Sequence, residues 1–265
     1  MKLKGLPIGL TIAGSDSGGG AGMQADLKTF AALGVHGTSA ITCITAQNPR
    51  GVTGMQAVRA DMVRKQIEAV FAELRPDAVK TGMLFSAAII RVVAEFFARD
   101  QRPPLVVDPV MVATSGAVLL QPSAICALKQ RLLPLATLVT PNLDEAELLL
   151  GRKLRSLPDL SVAAREIHER FGCAVLVKGG HLPDAARAVD VFFDGRTLRQ
   201  FSARRVRGVS THGTGCTYSA AVAAYLGKGE SLPAAAAAAK RFITRAIAES
   251  YLAQRHPVLR QIARR

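Results

Sequence analysis

The sequence has 265 residues, 49% of them hydrophobic and 20% charged, a balance typical of a globular protein that excludes a disordered chain, a collagen or a long coiled coil. The formal net charge is +14, which favours anionic partners, and the 5% of aromatic residues give little to stack on nucleic acid bases. We therefore expect one domain over residues 1–265 that attracts phosphate-bearing small molecules, with nucleic-acid binding as the less favoured alternative.

Apolar runs of strand length alternate with helical patterns along most of the chain. In chain order, the predicted strands are 8–13, 38–45, 78–80, 105–107, 138–140 and 174–178, and the helices between them are 24–33, 60–74, 86–98, 123–132, 144–149 and 161–171. Continuous apolar strands separated by helices indicate a mostly parallel sheet that helices cover on both faces. Strands 189–193 and 198–201 around Asp194 and Gly195 predict an edge hairpin, and helices 214–226 and 233–252 follow.

The four cysteines are too widely separated for a CxxC pair, a zinc ribbon or a dense disulfide framework, which favours a reducing compartment. The short apolar run near the first residue is better explained as a strand than as a signal peptide. No apolar run reaches the length of about 18 residues that a membrane helix needs. We expect a cytoplasmic protein with no membrane partner.

Ligands of an open parallel sheet bind beyond the carboxyl ends of its strands. The first such loop contains Gly20, Gly22 and Ala25, which satisfy the G-x-G-x-x-[GA] pattern of a dinucleotide site. However, no Asp or Glu occurs from residue 27 to residue 60, where the ribose ligand would stand. This loop is therefore interpreted as a close approach of ligand or backbone, and a nicotinamide-dependent oxidoreductase is disfavoured.

A second glycine loop, Gly213, Thr214, Gly215 and Cys216, immediately precedes a helical run. Backbone N–H groups at a helix start form a pocket for an anion such as a transferring phosphoryl group. We expect the same field to lower the pKa of the Cys216 thiol, as a base or nucleophile requires. A small buried cysteine that merely fits the helix start is the alternative.

Asn142 and Glu145 follow the strand over 138–140, and two interpretations are open for them. Asn142 suits a helix N-cap, with Glu145 making the reciprocal contact of a capping box. Alternatively, their oxygens form a water-mediated Mg²⁺ site beside nucleotide phosphates. Lys178, at the end of another strand, offers a cation for the same phosphates.

Eight motifs taken in order resemble the hydroxymethylpyrimidine/phosphomethylpyrimidine kinases of thiamine biosynthesis, in the ribokinase-like vitamin kinase superfamily. Each motif is weak alone, but the resemblance runs from about residue 8 to residue 250. The motifs are Ala13-Gly14-Ser15-Asp16, residues 19–28, Thr45-Ala46-Gln47-Asn48, Lys80-Thr81-Gly82-Met83-Leu84, Val107-Asp108-Pro109-Val110-Met111, Thr140-Pro141-Asn142, Lys178-Gly179-Gly180-His181 and residues 211–216.

The resemblance implies a ribokinase-like three-layer α/β fold and ATP-dependent phosphorylation of 4-amino-5-hydroxymethyl-2-methylpyrimidine and of its monophosphate. It implies that the aminopyrimidine contacts Gly14, Asp26, Gln47, Met83 and Val110. ATP would bind Asn142, Lys178, Gly213 and Gly215, with Mg²⁺ near Glu145, Asn142 and Asp108. Gly213, Thr214 and Gly215 would stabilise the transferring group, and Cys216 stands where sugar-kinase relatives carry an Asp base. A homodimer is also expected.

Two positions depart from the family's pattern: Gly18 stands where a Ser is usual, and Thr114 stands where many members carry Lys. The closest alternative function is that of a pyridoxal kinase, because pyridoxal also carries a hydroxymethyl group on an aromatic ring. The Gln47 amide favours the pyrimidine, since its donor and acceptor match the N–C–NH₂ edge of an aminopyrimidine.

Overall fold

The computed structural model describes residues 5–99, 102–111, 120–180, 182, 186–206 and 212–262. The strands are β1 (Ile8–Asp16), β2 (His36–Asn48), β3 (Gly51–Ala57), β4 (Ala78–Thr81), β5 (Leu105–Val107), β6 (Leu138–Val139), β7 (Ala174–Val177), β8 (Arg187–Phe193), β9 (Leu198–Arg204), β10 (Tyr251–Ala253) and β11 (His256–Val258). The helices are α1 (Gly22–Ala32), α2 (Ala60–Glu73), α3 (Ala87–Phe97), α4 (Pro122–Ala127), α5 (Leu143–Leu150), α6 (Leu157–Phe171), α7 (Thr214–Gly227) and α8 (Leu232–Ala248). A π-turn, Leu128–Leu132, extends α4.

Nine of the strands form one sheet in the order β3-β2-β1-β4-β5-β6-β7-β8-β9. The six strands from β2 to β7 in this order are parallel, and β3, β8 and β9 are antiparallel additions at the two edges. The chain runs from β1 to β2 on one side and then to β4 on the other. The strand order therefore reverses direction at β1, and an open α/β sheet binds ligands beyond the carboxyl ends of its strands at such a point.

Successive residues of the central strands point into two separate cores. Val107 and Val139 face a core shared with α2 to α6, whereas their neighbours Val106 and Leu138 face a core shared with α1, α7 and α8. Both faces of the sheet are therefore buried, which explains why these strands are continuously apolar rather than alternating. The predicted mostly parallel sheet, with helices on both faces and an edge hairpin at Asp194 and Gly195, is confirmed.

Two parts of the fold differ from the sequence prediction. Strand β3 is missing from the prediction because all seven of its residues are exposed, so no pattern of buried positions marks it. The last helix ends at Ala248 instead of continuing to residue 252, and β10 pairs with β11 in a hairpin whose turn includes Gln254 at a φ of +54°. Tyr251 and Leu252 are exposed there, so they lack the buried contacts that extend a helix.

All four cysteines are free thiols, as their spacing predicted. Among the described residues, no helix combines the length and apolar character needed to cross a bilayer.

Candidate functional site

The loop that follows β1 is shaped around the side chain of Asp16. Its carboxylate accepts hydrogen bonds from the backbone N–H groups of Gly18, Gly20 and Ala21, at 2.8, 3.2 and 2.8 Å. Burial alone would raise the pKa of Asp16, but hydrogen bonds from His212 and from these amides outweigh burial and lower this pKa. Asp16 is therefore a carboxylate at neutral pH, and the amides of the loop turn towards it.

The loop before α7 packs directly against this first loop. Gly213 has a φ of +81°, and a Cβ there would lie 1.8 Å from the carbonyl oxygen of Gly20, so only glycine fits. His212 Nε2 lies 3.2 Å from Oδ2 of Asp16 and 3.4 Å from Nε2 of Gln47. The end of β2 and both glycine loops thus meet at one place on the carboxyl edge of the sheet.

The first turn of α7 has the features of an anion site. Its N-cap residue, Gly213, provides no side-chain cap for the N–H groups of that turn. The hydroxyl oxygen of Thr214 is buried and has no hydrogen-bond partner in the part of the chain that the structure describes. A phosphate oxygen placed here would satisfy these donors and would lie at the positive end of the helix dipole.

Lys178 places a positive charge beside this helix start. Its Nζ lies 2.9 Å from Oδ1 of Asp108, and a Cβ added to Gly215 would lie 3.2 Å from the same Nζ. Thr140 and Ser219 also donate hydrogen bonds to Asp108, each at 3.2 Å. Burial would raise the pKa of Asp108, but Lys178 and the other neighbours lower it, so the carboxylate is charged.

Glu145 forms the predicted capping box at the start of α5. Its Oε2 accepts the Asn142 N–H at 2.9 Å, and the Asn142 side chain accepts the Glu145 N–H at 2.9 Å. Its Oε1 also accepts the N–H of Met111 at 3.3 Å. Burial, strengthened by the charge of Asp108, raises the pKa of Glu145 to about 7, although Lys178 acts in the opposite direction. Glu145 is therefore both a helix cap and a group that titrates near neutral pH.

Asp26, which the resemblance assigns to the substrate site, is buried and ion-paired. Its side chain is 0% exposed and is bound by the Lys80 ammonium, at 2.8 and 3.0 Å, and by the Thr11 hydroxyl at 2.6 Å. Both carboxylate oxygens thus accept hydrogen bonds, as a buried charge requires. In this arrangement Asp26 holds Lys80, and its contact with the substrate stays a prediction.

The other residues expected around the pyrimidine lie at the carboxyl ends of β1, β4 and β5. Gly14 is adjacent to Met83, since a Cβ at Gly14 would lie 2.8 Å from Cε of Met83 and 2.8 Å from Sγ of Cys43. Val110 has a φ of +38°, which is rare for a β-branched residue and marks a strained backbone next to the site. Thr114, which departs from the family's pattern, and the motif residues His181 and Thr211 lie outside the described residues.

The family model described as phosphomethylpyrimidine kinase matches residues 16–258, which is most of the chain. The chain belongs to the phosphomethylpyrimidine kinase family. It is 53% identical over 241 residues to a hydroxymethylpyrimidine/phosphomethylpyrimidine kinase of Rhizobium meliloti, covering 91% of this chain and 90% of that protein. A thiamine biosynthesis bifunctional protein of Geobacter sulfurreducens is 50% identical over 238 residues, 90% of this chain but only 48% of that longer protein.

Solved structures of two kinds resemble this phosphomethylpyrimidine kinase family member. A Bacillus subtilis pyridoxal kinase in complex with ADP has a TM-score of 0.88 at 40% identity, covering 97% of this chain and 98% of that one. A phosphomethylpyrimidine kinase from Clostridium difficile has a TM-score of 0.81 at 42% identity, covering 91% and 99%. These likenesses confirm the predicted ribokinase-like fold.

The donor set of this family member fits Mg²⁺ only in part. In the described ranges, no group of three or more His, Cys, Asp and Glu side chains is close enough to hold a metal ion. Glu145 and Asp108 both lie near the Lys178 ammonium, which already supplies positive charge to them. Two carboxylates suit Mg²⁺ when substrate phosphates and water complete its shell, so the ion would require ATP for binding.

The thiol of Cys216 corrects the expectation of a lowered pKa. Burial raises the pKa of Cys216 to about 11, and the nearby charges of Asp26 and Asp108 act in the same direction, whereas Lys80 and the N–H of Gly22 oppose them. Desolvation therefore outweighs the field of the helix start. Cys216 is a neutral thiol at pH 7 in the protein without ligands.

Several residues of this site were assigned no individual role from the sequence. His212 bridges Asp16 and Gln47, Lys80 neutralises Asp26, and Ser219 contacts Asp108. A usable signal existed for Lys80, because a lysine within an apolar strand must be paired if it is buried. The other contacts join residues that are far apart in the chain, so no local pattern marks them.

Proposed function

We propose that this chain transfers the γ-phosphoryl group of ATP to the hydroxymethyl oxygen of 4-amino-5-hydroxymethyl-2-methylpyrimidine, and then a second group to the resulting monophosphate. The single observation that carries the proposal is the meeting of an uncapped helix start, Gly213 to Cys216, with Lys178 and with Gln47 at one edge of the sheet. An anion site thus lies beside a side chain suited to an aminopyrimidine.

The reaction forms a bond between the hydroxymethyl oxygen and the γ-phosphorus, breaks the bond from the γ-phosphorus to the bridging oxygen of ADP, and releases the hydroxyl proton. The N–H groups of Thr214 and Gly215 would hold the transferring group, because its charge spreads over the equatorial oxygens. Lys178 would neutralise the same oxygens while Asp108 orients the ammonium. Mg²⁺, held with ATP near Glu145, Asn142 and Asp108, would supply further charge neutralisation.

The proton of the hydroxymethyl group is proposed to pass to the thiolate of Cys216, which forms when the thiol first loses its own proton to solvent. With a pKa near 11, only about one thiol in ten thousand is ionised at pH 7. Phosphoryl transfer makes modest demands on a base, since its transition state is loose. The second phosphorylation needs no such base, because a phosphate monoester acceptor is already largely ionised at pH 7.

A pyridoxal kinase activity is the second candidate, favoured by the TM-score of 0.88 with a pyridoxal kinase. A coupled assay of ADP release tests both, with the hydroxymethylpyrimidine, its monophosphate and pyridoxal offered in parallel. Turnover of the first two at a higher kcat/KM than pyridoxal supports the proposal. Turnover of pyridoxal alone contradicts it in favour of the second candidate.

We also propose a homodimer that uses the β3 edge of the sheet. Ile44, Val52 and Met55 are large apolar side chains exposed on β2 and β3, and an uncovered apolar edge strand invites pairing with another chain. Met55→Asp should convert a dimer into a monomer in light-scattering chromatography, with Leu252→Asp as the matched exposed control. A monomeric parent protein would contradict this.

We further propose a single domain over residues 1–265 and a cytoplasmic location.

A further inference from the structure

A buried ion pair outside the residues assigned so far lies behind the phosphate-facing loops. Lys240 of α8 and Asp190 of β8 are in contact at 2.7 Å between Nζ and Oδ2, with side chains 10% and 3% exposed. Lys240 is a buried charged residue on a helix face otherwise formed by alanines, Phe242 and Ile243. Such a pair is weak support for stability, so its presence calls for another explanation.

The second oxygen of Asp190 contacts the loop that carries Lys178. Oδ1 accepts the backbone N–H of Gly179 at 3.0 Å. The same loop is pressed onto β8, because a Cβ at Gly179 would lie 2.0 Å from the carbonyl oxygen of Val189. Lys178 itself is fixed on its other side, where its N–H bonds the Pro141 carbonyl at 2.8 Å.

Asp190 also faces the helix that begins at the anion site. The Tyr218 hydroxyl of α7 is buried near it, and burial together with the Asp190 charge raises the pKa of the Tyr218 phenol. Tyr218 lies one helical turn after Thr214, on the helix whose first turn would hold phosphate. One carboxylate thus stands between the Lys178 loop and α7.

We propose that Asp190 is a positioning residue for the nucleotide phosphates: held by Lys240, it fixes the Gly179 N–H and thereby sets Lys178 at the start of α7. The inference rests on the proposed function, in that Lys178 meets phosphate. Asp190 touches no substrate in this arrangement. Its loss should therefore weaken nucleotide binding while leaving the pyrimidine pocket unchanged.

Two double variants isolate the hydrogen bond to Gly179. Asp190→Leu with Lys240→Met replaces the ion pair by apolar side chains, a change that buried pairs often tolerate, and removes the acceptor. Asp190→Asn with Lys240→Met removes the same charges but keeps an oxygen that can accept the Gly179 N–H. Ile243→Ala, a buried position on the same helix, is the matched control for lost stability.

Calorimetric titration with ADP and steady-state kinetics provide the readouts. The Leu/Met variant should raise the Kd for ADP and the KM for ATP about tenfold, the effect of one well-placed hydrogen bond, with the KM for the pyrimidine within about twofold. The Asn/Met variant should restore both nucleotide constants to within about twofold of the parent. Ile243→Ala should lower the Tm without changing either constant.

Equal nucleotide constants in the two double variants would overturn the inference, as would a parallel rise in the KM for the pyrimidine. If the Leu/Met variant does not fold, Asp190→Ala with Lys240→Met takes its place in the same comparison, and an ADP complex about tenfold weaker in the Asn/Met variant than in Ile243→Ala would also overturn the inference. A parent protein that binds ADP but phosphorylates nothing would contradict the proposed function, while the ADP titrations would still decide the role of Asp190.

Discussion

Replacement of Glu145 by Gln should make the protein without ligands more stable at alkaline pH and catalytically weaker. Glu145 is 2% exposed, and burial raises its pKa from an ordinary value of 4.5 to about 7. The fold therefore favours the protonated form. The stability that this group contributes is fully present below pH 4.5 and is lost as the pH rises through about 7, so the ionised form carries a penalty above that pH.

The raised pKa corresponds to a penalty of about 3 kcal/mol at pH 8.5. Gln keeps the shape of the side chain and the capping contact. Its amide nitrogen cannot accept a hydrogen bond as the carboxylate oxygen does, and this lost hydrogen bond offsets about 1 kcal/mol of the gain in stability. A net gain of about 2 kcal/mol should raise the Tm by about 5 °C at pH 8.5. At pH 5.5 the folded carboxyl is protonated but the unfolded one is ionised, so about 1 kcal/mol of the penalty is already present. This nearly cancels the lost hydrogen bond, and the two proteins should melt at similar temperatures.

Thermal melts of both proteins at pH 5.5 and 8.5, without ATP and Mg²⁺, measure this difference. Glu166→Gln is the control, since the same change is made there at a residue that pairs with Arg152 at the surface of α6. A Tm difference that is equal at both pH values refutes the reasoning. Glu145→Gln should also lower kcat while leaving pyrimidine binding intact. Normal turnover with normal Mg²⁺ dependence would leave Glu145 only as a helix cap.

The remaining predictions concern substrate recognition and proton transfer. Cys216→Ala should slow phosphorylation of the hydroxymethyl group about 100-fold but should slow the second phosphorylation less than about threefold. If separate assays with the hydroxymethylpyrimidine and with its monophosphate show equal losses of rate, Cys216 is not the base. Parent activity on the hydroxymethyl substrate should rise with pH from 6 to 9, because the thiol pKa is about 11, and a flat profile would contradict a thiolate base. Gln47→Met should reduce kcat/KM for the pyrimidine more than for pyridoxal, whereas equal losses would remove Gln47 as the selector. His212→Phe should produce a weaker form of the Gln47 defect, since His212 contacts that amide, and unchanged selectivity would show that the contact is incidental.

The sequence was sufficient to predict elements whose pattern follows from local chemistry. The buried parallel strands are continuous apolar runs because both faces are covered, and the start of α5 is encoded by the Asn142 and Glu145 capping box. The two glycine loops can be recognised in the sequence. Only the structure shows why residue 213 must be glycine: a Cβ on Gly213 would lie 1.8 Å from the carbonyl oxygen of Gly20.

The sequence by itself determined the alternation of strands and helices, the edge hairpin, the family and the set of residues at the strand ends. The tertiary structure decided how those residues are charged and which of them are accessible. Burial raised the pKa of Cys216 where local reasoning predicted a decrease, and it enclosed Asp26 with Lys80. Desolvation and ion pairing depend on neighbours from distant strands, and no pattern within one segment of the chain contains that information.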